Sequence, residues 1–364
     1  MTDRTIIINS TALGARLNGI GVYLLELLRE LAALKTDLRC VVYVNEHAKK
    51  HFEDVKFPPH MVIRWASRFI SPDYKFVGHL LRFLHSNYLS LRHRKSLCFN
   101  GSQLEAMLFR GRQILMIHDI IPLQERRDHK KQYYYFRYLL PHALRSAAAI
   151  IVPSSVVKEQ LTRVYGLAGE RIHVIYHGVE HAFCDAVEKA ATGNDQYILY
   201  MGRGRFHKNL AMLLRGFKRV QNELAHKLII VDFDRRSKRR STDSGRIVFK
   251  GYVSSRERSA LYKNASLLVF PSFHEGFGFP PLEAMLNACP VVASHTSCIP
   301  EVCGDAAYYV DPADAESIAE GIRRVATNET TRYHLIQQGL LRARMFSWRM
   351  SAESHVRLIR LLSA

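Results

Sequence analysis

The sequence predicts an α/β protein built from two successive domains, each with a mostly parallel β-sheet. Short apolar runs rich in β-branched residues recur along the 364 residues, and glycine-containing turns and helical leucine spacing follow them. This pattern fades into a polar stretch between Glu180 and Gln196 and then begins again. A chain of this length can form two hydrophobic cores, so we place the domain boundary in that polar stretch.

The first predicted domain covers residues 1–180 and opens with a buried strand at residues 5–9. Gly19 and Gly21 then form a predicted glycine turn, and the leucines that follow repeat at near-helical spacing. Later elements are a strand and helix cap at 148–155, a helix at 156–165, and strands at 39–45, 61–64, 113–117 and 172–176.

The second predicted domain, residues 197–345, repeats the same order after a linker at 181–196. Its first strand leads through a cation-rich glycine turn into a helix at 210–220, and residues 346–364 form a last helical segment. The strands of this domain are expected at 197–201, 227–231, 267–270, 290–293 and 308–311, and a further strand with a turn is expected at 247–253.

The chain is strongly basic. Its 52 Lys and Arg residues exceed its 33 Asp and Glu residues and give a formal net charge of +19. This charge favours anionic partners, namely nucleotides, nucleic acid or an anionic membrane surface, and does not choose among them. A hydrophobic content of 48% and a charged content of 23% are those of an ordinary globular protein and argue against a disordered chain.

The six cysteines have neither a disulfide-framework spacing nor a zinc-site spacing, which predicts a reduced, cytosolic protein without a metal site. The apolar run after Arg4 is short and is broken by Asn9, so it does not predict a signal peptide. Nowhere do about eighteen apolar residues run together, as a membrane-spanning helix requires. Any membrane contact would therefore be peripheral.

Residues 267–294 carry the most informative pattern. A buried strand is followed by a loop with Glu275, Gly276 and Gly278, then by a helix that contains Glu283, and then by another strand. The glycines allow a ligand to approach the backbone, and the N–H groups at a helix start suit an anionic oxygen. Ionised carboxylates accept hydrogen bonds from vicinal sugar hydroxyls. The pattern therefore predicts a nucleotide-sugar site.

This stretch, HEGFGFPPLEAM, resembles the E-x7-E motif of the retaining glycosyltransferases of family 4. The resemblance spans nearly the full chain and implies the GT-B fold, in which two Rossmann-like domains face each other across a cleft. It also implies that residues 346–364 pack back on the N-terminal domain. In this interpretation Glu275 contacts the donor sugar and Glu283 the ribose, whereas a surface glutamate and a helix-capping glutamate are the alternative. The backbone of Gly276, Phe277 and Gly278 would complete the sugar site.

The same resemblance assigns roles in the first domain. Gly19 and Gly21 match a glycine pair that faces the donor phosphates and the acceptor, with a simple tight turn as the alternative. His118, at the end of a predicted strand in HDIIPL, matches a histidine near the reacting sugar. Asp119 is then a structural or acceptor-side neighbour.

In the second domain, the segment after the first strand resembles a G-R…K-N motif whose cations bind the donor diphosphate. The resemblance assigns this role to Arg203 and Lys208, with Arg205 as a further candidate, whereas a merely basic loop is the alternative. His207 stands where many relatives have arginine. The backbone near Tyr252 and Val253 would lie beside the nucleotide base.

Two basic segments remain open to interpretation. Residues 67–95 mix aromatic and cationic residues, which predicts either a basic amphipathic helix at a lipid interface or a helix packed on its own domain. A second mixed run at 126–138 fits either an anionic acceptor or a solvated helix. The run RRSKRR at 235–240 is expected to be a solvated loop, with nucleic-acid or phospholipid contact as the alternative.

Taken together, these motifs and the resemblance imply a retaining hexosyltransferase that needs neither metal nor cofactor. We expect it to act in the cytoplasm, or peripherally at the inner face of the membrane, on a glycan or lipid-linked acceptor of surface polysaccharide or lipopolysaccharide synthesis. GDP-mannose is the favoured donor because HDIIPL resembles a segment of the bacterial mannosyl- and rhamnosyltransferases of family 4 that act in surface polysaccharide synthesis. UDP-glucose, another UDP-hexose or dTDP-rhamnose are the alternatives. A phosphorylase or nucleotide-sugar hydrolase of the same fold is a further alternative. The charge of +19 and the RRSKRR run make a nucleic-acid-binding protein the non-enzyme alternative. No recognised nucleic-acid module is found, so no nucleic-acid partner is expected.

Overall fold

The computed structural model describes residues 5–108, 112–179, 196–232 and 245–363, which form two compact units. Unit 1 contains residues 1–178 together with 347–364, and unit 2 contains residues 179–346. The predicted linker at 181–196, apart from Gln196, lies outside the described residues, and so does the basic run at 235–240.

Each unit is organised around one sheet whose strands all pair in parallel. The strands of unit 1 are β1 (Ile6–Asn9), β2 (Cys40–Asn45), β3 (Met61–Ala66), β4 (Leu97–Asn100), β5 (Arg112–Met116), β6 (Ala149–Val152) and β7 (Ile172–Val174). Those of unit 2 are β8 (Tyr197–Met201), β9 (Lys227–Val231), β10 (Ile247–Phe249), β11 (Leu267–Phe270), β12 (Val291–Ser294) and β13 (Ala307–Val310).

The strand order places a ligand-binding position in each unit. In unit 1 the order is β3-β2-β1-β4-β5-β6-β7, and in unit 2 it is β10-β9-β8-β11-β12-β13. The order reverses between β1 and β4 and again between β8 and β11. Loops that follow such a pair of strands flank the crevice in which open α/β sheets bind ligands.

Helices connect the strands. In chain order they are α1 (Gly19–Ala33), α2 (Lys75–Arg92), α3 (Ile121–Gln124), α4 (Lys130–Tyr134), α5 (Leu140–Ser146), α6 (Ser155–Tyr165), α7 (Leu210–Val220), α8 (Ser255–Asn264), α9 (Phe279–Leu286), α10 (Ile299–Cys303), α11 (Ala315–Thr327), α12 (Glu329–Arg344) and α13 (Trp348–Ser363). A π-helical turn, Tyr135–Leu139, separates α4 from α5. Among the described residues no helix is long and apolar enough to cross a membrane.

Helix α1 begins earlier than the sequence predicted. The Asn18 side chain accepts a hydrogen bond from the backbone N–H of Gly21 at 2.9 Å and so caps the helix. Gly19 and Gly21 therefore lie in the first helical turn, and the predicted glycine turn before the helix is wrong. Helix α13 packs against α1, and the Tyr23 hydroxyl lies 2.8 Å from Nε2 of His355.

Helix α2 is the helix predicted within residues 67–95, and two 3-10 turns, Arg68–Ile70 and Pro72–Tyr74, precede it. It packs on its own unit, but not through its aromatic residues, because Phe76 and Tyr88 are both 53% exposed. The face of α2 that packs on the domain is instead largely small or polar and consists of Gly78, Arg82, Ser86, Asn87, Leu89 and Ser90.

The core of unit 2 surrounds the inner strands of its sheet. All residues of β11 and β12 are buried, as expected for parallel strands covered on both faces. Helices α7 and α11 pack together, and Gly216 allows this approach because a Cβ there would lie 2.9 Å from Ile318 Cγ2. Strand β10 covers Ile247–Phe249, and residues 250–253 of the predicted strand and turn lie in the loop that leads to α8.

Candidate functional site

The candidate site in unit 2 is built on the loops that follow β8 and β11. After β8 the chain passes through a 3-10 turn, Phe206–Lys208, to Asn209, which has a left-handed φ of 58°. Asparagine tolerates this conformation better than most residues. Its Nδ2 donates to the carbonyl oxygens of Pro271, at 2.9 Å, and Pro312, at 2.6 Å. These bonds fix the loop after β8 against the end of β11.

Lys208 and Glu275 meet between these loops. Nζ of Lys208 lies 2.6 Å from Oε1 of Glu275, and the two side chains are only 21% and 9% exposed. The Tyr200 hydroxyl donates to the Lys208 carbonyl at 3.0 Å, and Lys208 Nζ lies 5.3 Å from the centre of the Phe270 ring. Water screens a pair at this depth less than it screens a surface pair. The strand order thus joins a predicted phosphate ligand and a predicted sugar ligand.

The glycine loop after β11 is held by a neighbouring turn that the sequence did not single out. The N–H of Glu275 donates to Ser297 Oγ at 3.1 Å, and that hydroxyl donates back to the Glu275 carbonyl at 2.9 Å. The Cys298 thiol lies 3.4 Å from the carbonyl oxygen of Phe277. Gly278 has a φ of 96°, and a Cβ there would lie 2.9 Å from Ile299 Cδ1. The start of α9 therefore requires glycine at this position.

Glu283 lies in α9 and is oriented by helix α8. Tyr262 donates its hydroxyl to Oε2 of Glu283 at 2.9 Å, and Nη2 of Arg258 lies 3.4 Å from Oε1. Burial, together with the adjacent Glu283 carboxylate, raises the pKa of Tyr262 well above its usual value, so this phenol remains a donor. Each carboxylate oxygen has one such partner and keeps lone-pair capacity for a further hydroxyl.

The remaining predicted residues of unit 2 lie around this pair. Nε of Arg203 is 3.1 Å from Oδ2 of Asp232, so Arg203 pairs across the ends of β8 and β9 and does not share the Lys208–Glu275 contact. Arg205 is exposed, and its carbonyl accepts from the Lys208 N–H at 3.1 Å. The other three predicted residues differ in exposure. His207 is buried, Val253 is half-buried, and Tyr252 is 63% exposed in the loop before α8.

In unit 1, His118 follows β5 and is only 8% exposed, rather than fully open at the sheet edge. Its Nε2 lies 3.0 Å from the carbonyl oxygen of Gly101, which can only accept, so Nε2 carries the proton and Nδ1 is the acceptor. Burial lowers the pKa of His118 to about 4. The ring is therefore neutral near pH 7 and offers a lone pair to a ligand hydroxyl.

A buried cluster around Tyr23 supports this histidine. The rings of His118 and His177 lie 4.9 and 4.7 Å from the Tyr23 ring, and Trp348 stacks on His177 at 6.0 Å. His355 accepts the Tyr23 hydroxyl through Nε2 and donates through Nδ1 to the Ser351 carbonyl at 2.8 Å. Nothing in the sequence pattern pointed to His355.

The other predicted residues of unit 1 have local roles. Asp119 is half-buried and accepts from the N–H of Ile121 at 3.0 Å, which fixes the turn into α3. Gly19 is exposed at the start of α1, and Gly21 is buried within its first turn. The first N–H groups of α1 have no partner within the helix itself, and an anion suits this position. In the part of the chain that is described, no three His, Cys, Asp or Glu side chains could together hold a metal ion.

Two family models match adjacent parts of the chain. The model described as glycosyl transferases group 1 matches residues 185–342, and that described as glycosyltransferase family 4 matches residues 17–183. The predicted site residues of unit 1, such as His118, fall within the family 4 match, and those of unit 2, such as Lys208 and Glu275, fall within the group 1 match.

Similar proteins cover nearly the same length. The chain is 28% identical to the O-antigen chain mannosyltransferase RfbU of Salmonella typhimurium over 333 residues, which are 88% of this chain and 90% of that protein. It is 27% identical to O-antigen chain mannosyltransferase B of Escherichia coli over 379 aligned positions, which cover 95% of this chain and 97% of that protein. Among solved structures, sucrose-phosphate synthase from Thermosynechococcus elongatus is similar with a TM-score of 0.77, 18% identity and 99% of each chain covered.

Proposed function

Because the chain belongs to the group 1, family 4 glycosyltransferases, we propose that it transfers mannose from GDP-mannose to a glycan or lipid-linked acceptor with retention of anomeric configuration. Membership in this family, the GT-B fold class and glycosyltransferase activity are the predictions that the comparisons confirm. The donor, the stereochemistry and the acceptor are our proposal. Mannose is supported by the names of the two O-antigen mannosyltransferases, which are similar to this chain over most of its length.

The observation that carries the proposal is the Lys208–Glu275 pair beside the glycine loop. In the proposed complex, the Lys208 ammonium binds the donor diphosphate and offsets the charge that develops on the leaving group. Glu275 is then released to accept sugar hydroxyls, and the backbone of Gly276, Phe277 and Gly278 positions the sugar. Glu283 accepts the ribose hydroxyls between the donors on Tyr262 and Arg258. Arg203 has an anionic partner, Asp232, so we assign it a supporting role at the phosphates.

For the reaction itself, no side chain is assigned as a covalent nucleophile. We propose that the acceptor attacks the same face of the sugar that the diphosphate leaves, and that the leaving phosphate takes the acceptor proton. His118, neutral with Nδ1 as acceptor, would orient a sugar hydroxyl. No metal ion is needed in this scheme, because the cations of the loop after β8 supply the positive charge.

The donor is tested by thermal unfolding and by product analysis with GDP-mannose, UDP-glucose and dTDP-rhamnose, each with and without EDTA. A specific donor at about 100 times its Kd should add about 2.7 kcal/mol to the free energy of unfolding. We expect GDP-mannose to do so whether or not EDTA is present. NMR of the glycoside product should show the α-configuration of the donor.

Variants of two lysines separate the site from the general basic charge. Lys208→Ala should lower kcat/KM for the donor by about 100-fold, the order found when one transition-state donor is removed. Lys218→Ala, an equal loss of charge at an exposed position of α7, should keep wild-type kinetics.

In the thermal-unfolding test, stabilisation by a different sugar nucleotide would reassign the donor. Stabilisation by RNA but by no sugar nucleotide would contradict the proposal, and turnover without acceptor would favour the hydrolase.

The proposal also places the enzyme at an anionic membrane surface through residues 67–95. Helix α2 presents an apolar stripe whose members are 49% to 61% exposed, namely Phe76, Val77, Leu80, Leu84, Tyr88 and Leu91. At 1.5 Å per residue the stripe is about 22 Å long, and the members lie within about 120° of the helix circumference. This shape suits a helix that lies in the plane of an interface.

The opposite face of α2 shows why the helix is oriented this way. Asn9 donates to Ser86 Oγ at 2.9 Å, Arg82 donates to the Ile70 carbonyl at 3.0 Å, and the N–H of Leu108 donates to Asn87 Oδ1 at 2.9 Å. These bonds satisfy the buried polar face, so turning the apolar stripe inward would break them.

The charges around the stripe complement anionic lipids. Exposed cations flank the stripe and include Arg68, Lys75, Arg92, Arg94 and Lys95. Asp73 is the one carboxylate between residues 67 and 95, and its oxygens accept from Ser71 and from the N–H of Ala15. Nζ of Lys131 lies 4.0 Å from the centre of the Phe76 ring and adds a further cation beside the stripe. Long cationic side chains around an apolar face favour an interfacial helix.

Co-sedimentation with vesicles tests this contact. The protein should bind vesicles that contain phosphatidylglycerol and should not bind vesicles of phosphatidylcholine alone. The double variant Leu80→Asp/Leu84→Asp should lose binding at least about tenfold because it places charge in the apolar stripe. Leu341→Asp/Leu361→Asp makes the same charge change at exposed leucines of α12 and α13 and should bind like wild type. Equal binding by both double variants, or self-association through α2 in place of vesicle binding, would contradict the contact.

A further inference from the structure

A short segment after β4, residues Gly101 to Glu105, connects two parts of unit 1 that the proposed function uses. At its start, the Gly101 carbonyl accepts from His118 Nε2 at 3.0 Å, and Oε1 of Gln103 accepts from the His118 N–H at 3.2 Å. The Tyr135 hydroxyl donates to the Gln103 carbonyl at 2.7 Å and fixes the segment from another side. The segment therefore sets the position of His118.

At the other end, Glu105 holds the loop that leads from β1 to α1. Its Oε1 accepts from the N–H of Ala12 at 2.6 Å and from the Thr11 hydroxyl at 2.8 Å. Asn45 donates to the carbonyl of Thr11 at 2.9 Å and also to that of Leu13. Glu105 and Asn45 thus hold the first part of the loop from Ser10 to Asn18. Farther along, Asp73 accepts from the Ala15 N–H at 2.8 Å, and His51 Nε2 lies 3.2 Å from the carbonyl oxygens of Gly14 and Ala15. Glu105 itself is 0% exposed, and β1 and β4 are the strands between which the sheet order reverses.

We propose that Glu105 is a positioning residue for donor binding. It holds Thr11 and Ala12, and through them the start of α1, in the conformation that receives the donor phosphates, and its ionised form holds them more tightly than its neutral form. This inference rests on the proposed function, because it assumes that the start of α1 meets the donor. Glu105 is buried behind the loop and is not assigned a contact with the donor itself.

The surroundings of Glu105 place its titration near neutral pH. Burial raises the pKa of this carboxyl to about 7, although the Arg82 charge and the hydrogen bonds from Thr11 and Ala12 act in the opposite direction. Arg82 faces it from α2, Tyr23 from α1 and Tyr135 from the π-helical turn, and its negative charge in turn raises the pKa of both phenols. Hydrogen bonds to an ionised acceptor are roughly twice as strong as neutral ones. The loop should therefore be held more firmly above about pH 7 than below it.

A purely structural role makes a different prediction. Asn9 of β1, Asn100 of β4 and Ser86 of α2 form a buried hydrogen-bonded group, and a structural Glu105 would simply complete this polar layer. Removing its charge would then change the stability of the protein without changing how donor binding depends on pH. The two roles are thus distinguished by a pH profile and not by stability alone.

The experiment compares Glu105→Gln with wild type and with Glu46→Gln, which removes the same charge at an exposed position of unit 1. KM for GDP-mannose and kcat are measured from about pH 5.5 to about pH 8.5, a range that brackets the Glu105 pKa of about 7. Wild type and Glu46→Gln should show KM falling about fivefold as pH rises through about 7. Glu105→Gln should keep its kcat within about twofold and show a flat KM equal to the low-pH value of wild type.

A second measurement, on the substrate-free protein, keeps the inference separate from the proposed function. Hydrogen exchange at the amides of residues 12–18 should be faster in Glu105→Gln than in wild type at about pH 8, and it should match wild type in Glu46→Gln. If GDP-mannose is not the donor, this exchange still decides whether Glu105 holds the loop. A lower Tm with unchanged exchange and an unchanged KM profile would overturn the inference and leave Glu105 as a structural residue.

Discussion

The orientation of the Glu283 carboxylate depends in part on one hydroxyl, that of Tyr262. Tyr262 is 1% exposed and donates to Oε2 of Glu283, so Tyr262→Phe removes one hydrogen bond and leaves the ring in place. Loss of a hydrogen bond of this kind costs about 1 kcal/mol. In the proposed complex, the ribose that Glu283 binds takes no part in the reaction and is held equally in the ground and transition states, so we expect KM for the donor to rise about fivefold while kcat stays within about twofold.

The control for this prediction is another tyrosine of unit 2. Tyr197 donates its hydroxyl to the Leu261 carbonyl at 2.7 Å, so Tyr197→Phe also removes one hydrogen bond but leaves Glu283 unchanged. It should lower Tm without changing KM. Steady-state kinetics of both variants decide the matter, and an equal rise in KM in both would mean that the effect is general loosening rather than orientation of Glu283.

At the scale of elements, α2 depends on one glycine where it meets the turn before it. A Cβ at Gly78 would lie 2.0 Å from the backbone oxygen of Ser71, and a backbone atom cannot move aside as a flexible side chain can. Gly78→Ala should therefore destabilise unit 1 by roughly 1–3 kcal/mol, although alanine favours a helix by about 1 kcal/mol over glycine. The midpoint of urea unfolding measures this loss. Gly169→Ala, whose added Cβ would meet only Lys158 Cε at 3.7 Å, should unfold close to wild type, and equal losses in both would contradict the clash.

The elements also show what a sequence can and cannot predict. The loop from Glu275 to Gly278 was predictable, because a buried strand, two glycines and the start of a helix follow one another within a few residues. The outward-facing stripe of α2 was not decided by the sequence, because its orientation depends on Asn9 and Ser86, which are 77 residues apart. The bond between Tyr23 and His355, which are 332 residues apart, could not be predicted for the same reason. Local order is written in neighbouring residues, whereas the orientation of a helix depends on distant partners.

At the scale of the whole chain, buried groups with shifted pKa values determine how stability depends on pH. Burial lowers the pKa of His118 and His355 from 6.5 to about 4, and it also lowers the pKa of His177 well below 6.5. The unfolded chain therefore binds protons between pH 6.5 and pH 4 that the folded chain does not bind, so stability is lost as pH falls through this window. Glu105 acts in the opposite direction, because its folded pKa of about 7 lies above the ordinary value of 4.5 and the folded state binds its proton first.

Three histidines outweigh one carboxyl, so the net effect is acid destabilisation. The fall of the pKa from 6.5 to about 4 lowers the free energy of unfolding at acid pH by roughly 3 kcal/mol at most for each of His118 and His355. The raised pKa of Glu105 offsets about one such contribution. We expect Tm to fall steadily from about pH 6.5 to about pH 4. His355→Gln should be less stable than wild type at about pH 8, because the Tyr23 bond is altered, yet its Tm should fall less on acidification. His334→Gln, at an exposed position of α12, should follow the wild-type curve. A wild-type Tm that is constant between these pH values would mean that these histidines keep ordinary pKa values in the folded protein, which would contradict the lowered pKa of His118.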